Sequence, residues 1–72
     1  MIEYWKYYEG YKFYTDDKEV QKIIMGVTGS KIHSTYFDSK GKKMGVDIII
    51  RGDRLKMLLQ TLLKNKQKIK SL

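Results

Sequence analysis

Between Ile2 and Tyr14 apolar and polar positions follow one another at short intervals, and seven aromatic residues crowd the stretch "YWKYYEGYKFY". Aromatic-rich runs on either side of a short glycine-containing break predict a β-hairpin. With Glu9 and Gly10 as the two loop residues, Tyr8 pairs with Tyr11, Lys6 with Phe13 and Trp5 with Tyr14. Because strand side chains alternate, one face then carries Ile2, Tyr4, Lys6, Tyr8, Tyr11 and Phe13. The other carries Glu3, Trp5, Tyr7, Lys12 and Tyr14. The first set supplies core, with Tyr4, Tyr8, Tyr11 and Phe13 as its aromatic members, and Trp5, Tyr7 and Tyr14 are left facing outward.

The period changes after Tyr14. Asp16 followed by Glu19 has the spacing of a capping box, and Val20, Ile23, Ile24 and Val27 recur at i, i+3, i+4 and i+7. The pattern predicts a short amphipathic helix that Gly26 or Gly29 ends. "KIHSTYF" and "MGVDIII" are rich in β-branched and aromatic residues, and "DSKGKK" between them forms a turn, which makes a second hairpin. Pairing Asp38 with Lys43 places His33, Thr35, Phe37, Met44, Val46, Ile48 and Ile50 on a core face, and Ile32, Ser34, Tyr36, Gly45, Asp47 and Ile49 on the opposite one. After "RGD", Asp53 is placed to cap a second helix in which Leu55, Leu58, Leu59, Leu62 and Leu63 form a stripe. Residues 64–72, "KNKQKIKSL", read as a basic, fraying C-terminal end.

The order is therefore ββαββα, and the expected fold is α+β: a four-stranded antiparallel sheet with two helices packed on one face and the other face open. Residues 1–72 make a single small domain. At that length folding removes only about 60% of the unfolded chain's surface from water. With no Cys there is no disulfide or thiolate metal site to reinforce it, so a dense aromatic cluster or a second subunit has to add burial. A homodimer is one expectation. No apolar run reaches the roughly 20 residues of a membrane span, and "MIEYWKYYEG" is too polar for a signal peptide, which predicts a cytoplasmic protein without membrane contact.

Charge changes the picture further. The net charge of +7 arises in the second half: residues 37–72 hold ten Lys or Arg against Asp38, Asp47 and Asp53, whereas residues 1–36 are balanced. A basic half points to nucleic acid, DNA or RNA, because neutralised phosphates release condensed counterions. The candidate phosphate contacts are Lys12, Lys40, Lys42, Lys43, Arg51, Arg54, Lys64, Lys66 and Lys68, provided that the fold gathers them. Trp5, Tyr7, Tyr14 and Tyr36 on the open face are candidates for stacking on bases or for an interface. Glu3, Asp47, Ile32 and Ile49 share that face, and the two acids work against a phosphate backbone.

Catalysis is not expected. His33, the sole histidine, falls on the core face of its strand, where a packed and hydrogen-bonded role fits better than general-base work. No His, Asp and Glu cluster suggests a metal, no cofactor motif is present, and Asp16 with Asp17 opens a helix, where acids favour the macrodipole. "RGD" at 51–53 is a short match at a strand-to-helix junction and reads as structure; the helix start beside Arg51 and Arg54 is a weak phosphate site. Two functions follow. One is a small, non-catalytic nucleic-acid-binding protein that uses the lysine and arginine patch with exposed aromatics. The alternative is a protein-interaction module acting through the open sheet face, either homodimerising or binding a host protein as an accessory factor of a phage, plasmid or virus.

Overall fold

The computed structural model describes residues 1–72 and places strands β1 (Ile2–Tyr7) and β2 (Gly10–Thr15), helix α1 (Lys18–Thr28), strands β3 (Ile32–Phe37) and β4 (Lys43–Arg51), a 3-10 turn (Gly52–Arg54), helix α2 (Leu55–Lys64) and strand β5 (Ile69–Ser71). The fold is α+β, but the sheet has five strands and is mixed, in the order β3-β4-β2-β1-β5. All neighbours are antiparallel except β5, which runs parallel to β1. No helix is long and apolar enough to cross a membrane.

The first hairpin turns at Tyr8-Glu9, one residue earlier than expected, so that Tyr7 pairs with Gly10, Trp5 with Lys12 and Tyr4 with Phe13. Each partner moves by two positions, and a shift of two leaves every side chain that remains in the strands on its predicted face. Gly10 is needed inside the strand because a Cβ there would run into the Ile50 carbonyl of β4. The turn falls instead to Tyr8, which takes a φ of 51° and is 84% exposed rather than in the core.

Asp17, not Asp16, caps α1: its carboxylate accepts from the backbone N–H groups of Glu19 at 2.8 Å and Val20 at 3.4 Å. Asp16 receives the Met1 ammonium at 3.0 Å. That hydrogen bond holds its carboxyl below the usual value. Gly29, in the left-handed conformation, closes the helix. Val20 and Ile24 are fully buried and pack with Ile2, Phe13, Val46, Ile48, Ile50, Leu58 and Leu62 in one core between the helices and the sheet.

In the second hairpin the register through Ser34, Thr35 and Tyr36 is the expected one, but irregularities at both ends displace the rest. Ile32 comes opposite Ile48 on the helix side, and Phe37 comes opposite Lys43. Val46, Ile48 and Ile50 are core as expected. His33, Thr35, Phe37 and Met44 are not, and all are exposed. The reason is position: α1 packs over β4 and β2, so β3 overhangs at the sheet edge.

Asp53 does not cap α2. It lies in the 3-10 turn and holds Arg51 at 2.8 Å, while the first α-helical turn has no side-chain cap. Leu58 and Leu62 are buried and Leu55 and Leu59 partly so, but Leu63 is 64% exposed. The C-terminal end, expected to fray, is placed as a turn and a short strand. Gln67 N–H donates to the Leu62 carbonyl at 3.0 Å and Lys66 N–H to that of Leu63 at 2.9 Å, with Lys66 left-handed at φ 58°. These are the two bonds of a Schellman turn. It reverses the chain so that Ile69 lands beside Ile2 and β5 covers the free edge of β1.

Candidate functional site

The sheet face away from the helices carries Glu3, Trp5, Tyr7, Lys12, Tyr14, Tyr36, Asp47 and Ile49, as alternation along the registered strands requires. Its centre is Asp47, paired with Tyr14 on one side and Ser34 on the other. Although on the open side, Asp47 is only 2% exposed, because the side chains around it lie down over it. The Tyr36 hydroxyl donates to Oδ2, and Lys12 Nζ stands 3.9 Å from the same oxygen. Oδ1 is buried without a hydrogen-bond partner. The bond to Asp47 favours the neutral phenol and raises the pKa of Tyr36 above the ordinary 10.0.

Tyr14 lies flat for a different reason. Its phenol end rests on Gly45, where a Cβ would collide with it. The Tyr14 and Tyr36 rings are 6.1 Å apart between centroids. Lys12 bridges the other half of the face, with its Nζ 4.2 Å from the Tyr7 ring centroid in a cation–π contact. Trp5, Lys12, Tyr14, Tyr36, Asp47, Glu3 and Leu72 surround a shallow basin of about 410 Å³.

The basic residues fall into separate places. Lys12 is on the face itself and engaged as described. Lys40, Lys42 and Lys43 lie at the β3–β4 tip, where the Asp38 carboxylate accepts from the Lys40 and Lys42 N–H groups at 2.8 and 2.9 Å and fixes the loop. Lys42 and Lys43 line a cleft of about 290 Å³ with Lys18 from α1, and Lys43 Nζ donates to Gln21 at 3.4 Å. Lys64, Lys66 and Lys68 belong to the end of α2 and the turn into β5. Strand directions bring them to the same end of the sheet as the tip, but at the opposite edge, some four strand spacings or about 19 Å away.

Arg51 and Arg54 are at the other end of the molecule, Arg51 as the last residue of β4 and Arg54 in the 3-10 turn that follows. Arg51 is held by Asp53 and lines the largest depression, about 530 Å³, together with Glu9 and Asp53. The nine candidate phosphate contacts thus make one six-lysine end rather than a single patch. Sequence reasoning placed Asp47 on the face but missed that it organises the surface. The available signal was a lone charge between glycine and isoleucines in "MGVDIII". Lys18 and Leu72 were missed because helix start and chain end come beside the site only through tertiary packing.

No group of three or more His, Cys, Asp or Glu residues gathers to hold a metal ion. No known protein family matches the chain, and comparison with curated proteins and with solved structures finds no significant match.

Proposed function

We propose that the protein binds single-stranded nucleic acid, laying bases on the open sheet face and holding phosphates with the lysines at its basic end. One observation carries this reading: aromatic rings lie along the open face while the carboxylate at their centre is buried and engaged by Tyr36 and Lys12. An acid that is 2% exposed opposes a phosphate backbone far less than a solvated one. Partly exposed rings offer stacking worth roughly 1–3 kcal/mol per base without demanding a sequence.

The arrangement suggests a path. Tyr36 stands next to Phe37, which pairs with Lys43, so the tip lysines adjoin the first ring. From Tyr36 on β3 through Tyr14 on β2 to Trp5 on β1 is about 14 Å at ordinary strand spacing. Lys40, Lys42 and Lys43, with Lys18 beside them, hold the strand where it enters; Arg51, tied to Asp53 at the far end, takes no part. The role is binding, and no residue is assigned a covalent step.

Fluorescence anisotropy with short single-stranded DNA and RNA oligonucleotides tests it. Affinity falls steeply with salt, and replacing Lys40, Lys42 and Lys43 by Gln lowers the slope of log K against log salt by about 2, three contacts at roughly 0.7 each. Undetectable binding at low ionic strength, or a slope that the triple variant leaves unchanged, rejects the reading. A protein partner on the same face is the second reading, favoured by Leu72, an aliphatic 63% exposed at the rim of the basin.

A further inference from the structure

The two edges of the sheet are built differently. β5 is three residues long, carries Lys70 and is preceded by Lys68, which is how edges are defended against unwanted pairing. β3 has six residues, "IHSTYF", with no charge and no proline, and all but Ser34 are exposed. Ile32 is 36%, Tyr36 45% and Phe37 60% exposed, and Met44 on the adjoining strand is 55% exposed. An edge of this composition offers unpaired N–H and C=O groups to another strand.

We propose that β3 pairs antiparallel with β3 of a second copy of this chain, joining two sheets into one. The charges that flank the strand select this occupant. Lys31 precedes β3 and Asp38 follows it, with no charge between them. Antiparallel pairing sets Lys31 of each copy beside Asp38 of the other at both ends of the junction; parallel pairing sets like charge beside like. Both groups are free for it. Lys31 has no ion pair within the chain, and Asp38 uses only Oδ1 for its own loop.

The side chains fit the same arrangement. A two-fold axis through the regular segment Ser34–Tyr36 keeps the open faces of the two copies on one side. On the helix side it brings Ile32 of one copy toward Phe37 of the other, over the strip that α1 does not reach. The irregularities at each end of β3 lie outside that central segment. Each copy carries a net charge of +7, and the neutral edge is where two such chains meet with least repulsion.

Sedimentation velocity of the nucleic-acid-free protein across the micromolar range tests the pairing, with circular dichroism melts to verify folding of exposed-site variants. The wild type sediments as a dimer, Phe37→Lys as a monomer, and Lys31→Glu dissociates about tenfold more readily, as two exposed ion pairs turned repulsive imply. Hydrogen exchange reads the same contact directly: protection of the Ser34–Tyr36 amides rises with concentration. A wild type that stays monomeric, or a dimer indifferent to both substitutions, overturns the proposal.

Discussion

Phe13 and Tyr14 are neighbours in β2 and lie in opposite surroundings. Phe13 points under the helices, is fully buried and stacks on Tyr4 with ring centroids 4.9 Å apart. Tyr14 points the other way, rests on Gly45 and keeps part of its ring in water. The helix-covered face is held by exclusion of water from aliphatic and aromatic carbon. Specific ties hold the open face instead: a phenol on a carboxylate, an ammonium over a ring, a ring on a glycine. One face is insensitive to which apolar group fills it so long as the volume is kept, and the other depends on particular atoms.

Three substitutions probe that difference. Phe13→Ala opens a cavity under both helices and costs about 3–5 kcal/mol, a large share of a small domain's stability. Chemical denaturation gives the value; a loss below about 1 kcal/mol would mean that the covered face is not the core. Gly45→Ala drives the Tyr14 ring off its seat at about 1–3 kcal/mol. Its distinguishing readout is oligonucleotide affinity, which drops further than for a covered-face substitution of equal thermal cost; equal drops would show that Tyr14 has no part in binding.

Tyr36→Phe has the smallest effect, the loss of a single hydrogen bond to Asp47 at a solvent-facing position. It also carries a pH signature. The phenol pKa is raised in the folded state, so its contribution is complete below about pH 10, the unfolded value, and is lost as pH rises through the folded one. The stability gap between wild type and Tyr36→Phe therefore narrows in alkali. A gap that widens instead would place the hydrogen bond on the ionised phenol.

Much of this was legible in the sequence because it rests on periodicity. Val20 and Ile24, Leu58 and Leu62, and the alternation through Trp5 and Tyr14 all point where the structure puts them. What the pattern could not supply depends on neighbours distant in sequence. Gly10 reads as a turn residue until the Ile50 carbonyl lies against it. Asp53 reads as a cap until Arg51 takes its carboxylate. His33 and Phe37 read as core on a strand whose helical cover turns out to stop one strand short. The residues from Lys64 read as a solvated tail, yet their lysines at every second position are also the pattern of a guarded edge strand, with Ile69 as its single inward anchor. For the candidate site, membership of the face was readable, but the spread of the lysines along both edges followed only from strand order.

The order of strands has one more consequence. The hairpin-then-helix succession that occurs twice suggests two halves that would each fold alone. Yet β4, from the second half, lies between β2 and β3, and β1 and β2, from the first, lie between β4 and β5. The second half is split, with β5 beyond both strands of the first, so its three strands share no sheet until β1 and β2 are in place. The chain is thereby committed to all-or-none assembly, with closure of β5 onto β1, its contact of greatest sequence separation, as the step that carries the highest loop-entropy cost.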